Sequence, residues 1–272
     1  MFFYKNFESN TPIVNQQSGM DKNPPGAEIY FLQQHGLCKK FLRAYVRKKD
    51  AEDLHQLRVA IKRVKAILAM LHELQAGFDF ENNFKPYKNI FRQAGHIREE
   101  LLHNNRIFSD ARNRRVKTNH SRLLIKLNKE LALSVSKELE SIRDVLPTIQ
   151  LSIHQLERGK IFPYCQKMFK QLEKKWKKAD NKAGLHKFRK QLKQFLYCAH
   201  LLTEEERKEL LSDKKHKHLD YLQDTIGQWH DNVLLLKKIK KDDLKVDKQF
   251  LETLKDETKN LMKAVRKSGD KL

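Results

Sequence analysis

Proline is nearly absent from most of this chain. Its six copies stand at 12, 24, 25, 86, 147 and 163. The intervals Tyr87–Leu146 and Tyr164–Leu272 therefore lack the residue that most effectively breaks a helix, by removing an amide donor and crowding the preceding turn. Both intervals are rich in Leu, Lys, Glu, Gln and Arg, with apolar residues three and four positions apart and hardly any alternating β-branched run. That pattern predicts an all-α chain without strands.

Local signals divide it into elements. Pro24, Pro25 and Gly26 precede a first helix running through Ile29, Leu32, Leu37, Phe41 and Val46 to about Lys49. Asp53 is expected to cap the second, because its carboxylate can accept the unpaired amides of the first turn. A loop follows over Gly77–Asn83, and Pro86 suits the first turn of a third helix that ends in a break near Asn104 and Asn105. A long polar helix then starts at Ser109, carries Arg112, Arg114, Arg115, Lys117 and Arg122, and continues toward Pro147.

One stretch occurs twice. LHQLRVAIKRVKAILAML at Leu54–Leu71 returns as LHKFRKQLKQFLYCAHLL at Leu185–Leu202. At about 100° per residue, Leu57, Ile61, Val64, Leu68 and Leu71 form an apolar stripe flanked by His55, Arg58, Lys62 and Lys65. In the second copy Phe188, Leu192, Phe195, Ala199 and Leu202 form the stripe, flanked by His186, Arg189 and Lys193. The surrounding order repeats as well. Tyr164–Lys178 parallels the first helix, with Lys174 matching Arg43 and Trp176 matching Tyr45. LDYLQDTIGQWHDNVLLL parallels YKNIFRQAGHIREELL, aligning Gly95 with Gly227, Arg98 with His230 and Glu99 with Asp231. The expected organisation is a flexible tail over 1–25 and a helical domain over 26–272. That domain is read as an internal duplication of about four helices per half, with halves at about 26–146 and 147–272.

The formal net charge is +22, and a field of that sign attracts nucleic acid, anionic lipid or phosphate polymers. Histidine, arginine three residues on and lysine seven residues on share one sector over about two turns. Arginine offers a bidentate fork to phosphate oxygens and lysine a point charge. One such copy reads as a solvated face, but its recurrence favours a shared basic cleft, since the off-face Lys187 and Lys190 have only Gln56 and Val59 as counterparts. Metal binding is not expected: neither His55 nor His186 has a ligand one turn away, and His216 and His218 stand apart. No nucleophile has a companion base, no phosphate-binding glycine loop occurs, and acids do not cluster. Glu99 and Asp231 read as partners of cleft cations; Tyr45, Trp176, Trp229 and the phenylalanines read as packing. Cys38, Cys165 and Cys198 are too scattered for a zinc site or disulfide framework. With no signal-length or membrane-spanning apolar segment, the expected location is the cytoplasm.

These motifs resemble the CHAD family, the conserved histidine α-helical domain. The resemblance rests on LHQLRVAIKRVKA (Leu54–Ala66), LHKFRKQLKQFLY (Leu185–Tyr197), AGHIREE and IGQWHDN, and spans about Glu28 to the C-terminus. The family more often has Arg-Asp and Asn-Asp where this chain has Arg98-Glu99 and His230-Asp231. The resemblance implies two four-helix bundles related by a pseudo-twofold axis, with a basic channel between them that binds inorganic polyphosphate. Carried over, the channel would be lined by His55, Arg58, Lys62, Lys65, Arg98, His186, Arg189 and Lys193, with Arg63, Lys190, Arg43 and Lys174 as secondary candidates. Gln194 and Leu196 replace Arg63 and Lys65 in the second copy, so that wall is less basic. The expected function is non-catalytic binding of polyphosphate or another linear polyanion, with no cofactor, metal or membrane. The alternatives are a nucleic-acid binder using the Arg112–Arg122 face and, behind it, a polyphosphate-processing enzyme.

Overall fold

The computed structural model describes residues 26–107, 114–179, 181–244 and 246–270, without the side chains of 103–120. Among these residues the chain forms nine α-helices and no strand. They are α1 (Ala27–Lys48), α2 (Ala51–Leu74), α3 (Phe80–Ile107), α4 (Arg114–His154), α5 (Ile161–Trp176), α6 (Lys182–Ala199), α7 (Glu204–Leu210), α8 (Asp213–Lys241) and α9 (Lys248–Gly269), with a 3-10 turn at Arg158–Lys160 between α4 and α5. The expected N-terminal tail lies outside the described residues.

Several boundaries differ from the sequence reading. Asp50, not Asp53, caps α2 by accepting the Glu52 amide at 3.0 Å. The chain turns immediately before it, where Lys49 takes a left-handed φ of 58° and donates its amide to the Tyr45 carbonyl. Asp79 accepts the Asn82 amide at 3.0 Å, so α3 opens at Phe80 and Pro86 falls inside it. α3 continues past Asn104 and Asn105 to Ile107, and α4 passes through Pro147 to His154. The 3-10 turn at Arg158–Lys160 therefore separates α4 from α5. Thr203 and Glu206 form a reciprocal capping box that starts the short α7, which has no counterpart between α2 and α3.

Packing follows the apolar stripes. α2 packs between α1 and α3, and α4 closes on α3 and α1; α6 packs between α5 and α8, and α9 closes on α8. Equivalent positions tie each set together. Tyr45 donates its hydroxyl to Asn128 of α4 at 2.7 Å, and Trp176 donates its indole N–H to Asp270 at the end of α9 at 3.4 Å. α2 also packs against α6, where the buried Cys198 thiol lies 3.7 Å from the Ala66 carbonyl. Across that seam Leu57, Ile61, Val64 and Leu68 join Phe188, Leu192 and Phe195 in one hydrophobic core, and a satellite of Leu235, Ile239, Leu244 and Leu254 sits between α8 and α9.

Candidate functional site

Two arginines are held in the same way. Arg58 of α2 crosses α3 at Gly95 and donates Nη1 to the Phe91 carbonyl at 2.7 Å. Arg189 of α6 crosses α8 at Gly227 and donates Nε to the Gln223 carbonyl at 3.2 Å. In both cases the accepting carbonyl stands four residues before the glycine. A Cβ at Gly95 would come within 2.7 Å of Arg58 Nη1, and one at Gly227 would collide with the Arg189 guanidinium. Each glycine is thus the space through which its arginine passes. Part of each donor fork is spent on backbone, and the cation itself stays at the junction. The Phe91 ring lies 4.1 Å from the Arg58 guanidinium carbon and 5.9 Å from Lys62 Nζ, a cation–π platform for both.

Around these arginines like charges accumulate. Burial pushes the Lys62 ammonium down to about 6, helped by the proximity of Lys193, Arg58, Arg189 and Arg98. Burial also lowers Lys193 to about 8, with Arg189 and Arg98 adding to the shift and Asp224 and Asp231 opposing it. Arg58 is lowered to about 10 by burial and Arg98, and so stays charged. His55, at the start of α2, is kept below its ordinary range by partial burial and then by Arg98, with Glu52 opposing. Five basic groups from α2, α3 and α6 therefore feel one another in a half-buried space. Among the described residues, none of Arg58, Lys62, Arg98, Arg189 or Lys193 is held in an ion pair. An arrangement that disfavours its own charge is chemically suited to an anion, which would favour the protonated forms.

The sequence model of the CHAD domain family matches residues 37–240. The chain belongs to the CHAD family. Its fold is similar to that of the crystal structure of the CHAD domain from the plant Ricinus communis, with a TM-score of 0.63 and 16% identity, covering 97% of this chain and 98% of that one. No curated protein matches the sequence.

The remaining candidates spread out around the CHAD motif helices. His186 lies beside His230, with ring centroids 4.7 Å apart. Lys65 is exposed, 5.6 Å from the Phe84 ring, and feels Lys190 and Lys88 more than the central cluster. Lys190 is exposed on α6 and bears electrostatically on Lys65, His186 and His230. Arg63 turns the other way, donating to Gln34 of α1 at 3.3 Å and lying 6.0 Å from the Tyr197 ring. Arg43 and Lys174 are exposed on α1 and α5, and no described contact links either to the cluster. Glu99 is exposed, whereas Asp231 bears on His230, Arg189 and Lys193. The side chains of Arg112, Arg114, Arg115 and Lys117 lie outside the described residues, and Arg122 is exposed. Among the described residues, no three His, Cys, Asp or Glu side chains gather as metal ligands, and no helix is long and apolar enough to cross a membrane.

Sequence reasoning missed Phe91, Phe84 and Asp224. Phe91 and Phe84 were expected as packing, but both are partly or largely covered rings that carry cations on one side. A signal existed at Phe91, four residues before Gly95. Asp224, next to Gln223, is exposed and offsets Lys193 and Arg189.

Proposed function

We propose that this chain binds inorganic polyphosphate, or another linear polyanion, at the junction of α2, α3, α6 and α8, and performs no chemistry of its own. The observation that carries this reading is the set of five mutually repelling basic groups contributed by both motif helices and α3, offset among the described residues chiefly by Asp224 and Asp231. Membership of a family associated with polyphosphate supports it. A compact anion would meet one or two of these groups. A chain of phosphates can engage successive cations along both helices, releasing condensed counterions as it does so. Arg58 and Arg189, already fixed by backbone carbonyls, would meet it with little further loss of side-chain freedom.

The test is a titration with long-chain polyphosphate at two salt concentrations. Replacing Arg58, Lys62, Arg189 and Lys193 together with Ala is expected to leave helical content intact and abolish binding. A folded quadruple variant that binds like the parent refutes the assignment. Duplex DNA serves as comparator: displacement of polyphosphate by DNA at equal phosphate concentration, with DNA affinity retained in the variant, would favour the nucleic-acid alternative. Release of orthophosphate with magnesium present, lost in the variant, would replace binding with hydrolysis.

A further inference from the structure

The two motif histidines have different company. In the first half, the position three residues after Gly95 is Arg98, which bears directly on His55. In the second half the position three residues after Gly227 is His230, and its ring stacks on His186 with centroids 4.7 Å apart and planes tilted by 31°. The same place therefore carries a permanent charge in one half and a titratable one in the other.

The His186 Nδ1 atom is buried and has no hydrogen-bond partner. The groups facing the pair are Arg189 and Lys190 from α6, and Asp231 and Lys237 from α8. Three of those four are cations, an environment hostile to a divalent metal, and no third ligand joins the two rings among the described residues. The same surroundings suit an anion. Two imidazolium rings at this separation repel each other and their cationic neighbours, so a proton is not favoured there alone; a bound anion offsets that repulsion, and each proton taken up in turn strengthens the hold on the anion.

We propose that His186 and His230 form a phosphate-receiving imidazole pair, in which the second half of the protein takes up protons to engage the polyanion where the first half uses the fixed charge of Arg98. This rests on the binding reading above and adds to it a subsite and a means of regulation. Burial and the neighbouring cations hold both rings below the ordinary histidine range in the free protein, so the pair is neutral near neutral pH and becomes available on acidification. A rise of about one pKa unit in one ring on binding corresponds to about tenfold tighter binding at a pH below both values than at a pH above them.

The experiment follows the ring NMR signals of His186 and His230 through a pH titration, with and without long-chain polyphosphate. Affinities are measured at about pH 5.5 and about pH 7.5, a span that brackets the ordinary histidine range, for the parent, His230→Asn and His230→Arg. Titration of Lys62 and Lys193 is common to all three proteins and drops out of the comparison. We expect polyphosphate to move both ring titrations upward. His230→Asn should lose most of the histidine share of the acid gain, a several-fold effect with about tenfold as its limit. His230→Arg should bind more tightly than the parent at the higher pH, with a flatter pH dependence. Ring titrations unmoved by polyphosphate, or a His230→Asn protein with the parent's full acid gain, overturn the proposal and leave the binding reading standing. Absence of binding by the parent at either pH overturns both.

Discussion

Polyphosphate binding should draw protons onto the protein, and Lys62 sets how many. With pKa values of about 6 for Lys62 and about 8 for Lys193, at pH 7 Lys62 is about nine-tenths neutral in the free protein and Lys193 about nine-tenths charged. A bound anion favours the ammonium form of each. If both return to the ordinary lysine range, binding at pH 7 adds about 0.9 proton to Lys62 and about 0.1 to Lys193, about one from the two lysines. At about pH 8 the histidines stay neutral, Lys62 takes about one proton and Lys193 about half of one, so uptake rises to about 1.5. Affinity should accordingly weaken by roughly ten- to thirtyfold between pH 7 and pH 8. The assay is calorimetric titration at fixed pH and salt in two buffers of different ionisation enthalpy; the difference in heat divided by the difference in enthalpy gives the protons taken up. Lys62→Met should reduce uptake at about pH 8 to about 0.5. Heats that coincide in the two buffers would mean that Lys62 is already charged when free, and the reasoning from its burial would fail.

The depressed lysines also act on stability. Between about 6 and the ordinary lysine range the unfolded chain carries the proton that folded Lys62 lacks, and Lys193 behaves likewise above about 8. Stability of the free protein should therefore rise with pH across this window, and the full cost of charging Lys62 applies below about 6; thermal melts from acid to alkaline pH test the sign. Lys62→Met, which replaces a crowded cation by an apolar chain, should stabilise the free protein by roughly 1–3 kcal/mol at acid pH while weakening polyphosphate binding, and a lower melting temperature would contradict this. Gly95→Ala and Gly227→Ala gain about 1 kcal/mol of helix propensity but push Arg58 or Arg189 off its carbonyl. Binding should fall several-fold at little net change in stability, whereas Gly36→Ala, where nothing lies within 4 Å, should stabilise α1 and leave binding unchanged. Cys38, Cys165 and Cys198 are buried with thiols held well above their ordinary range, so a thiol reagent should label them only at the rate of unfolding.

The helices were legible because a 3.6-residue stripe such as Leu57, Ile61, Val64 and Leu68 has one good way to be buried. Their ends were less so. Asp50 and Asp53 are equally good caps by residue type, and the choice between them lies in the left-handed turn at Lys49, which a lysine does not announce. Pro147 is a strong stop in isolation, costing about 3 kcal/mol, yet Ile142, Ile149 and Ile153 are all buried on one core and hold the helix together across it. The Thr203–Glu206 capping box that opens α7 has the Thr-x-x-Glu spacing of such a box, yet the sequence reading passed from the second motif helix to the next without it. At the site, the repeated spacing identified Arg58, Lys62, Arg189 and Lys193, because they share a flank with the core stripe. It could not reveal that Arg63, one residue from Lys62, points toward α1 and Tyr197, or that Phe91 and Asp224 complete the surroundings. Those depend on which helix faces which, and a period along one helix carries no information about its neighbour.

The seam between α2 and α6 has a consequence for how the chain can be divided. Ala66 and Cys198 meet there inside a core that neither half encloses alone. A protein cut at the Arg158–Lys160 turn would not release two self-sufficient modules. Each fragment would carry a bare apolar wall edged by its own motif cations, and would find cover only on the complementary fragment or on a second copy of itself. A second copy of a half-chain would cover that wall by setting two identical motif helices face to face, as α2 and α6 stand here.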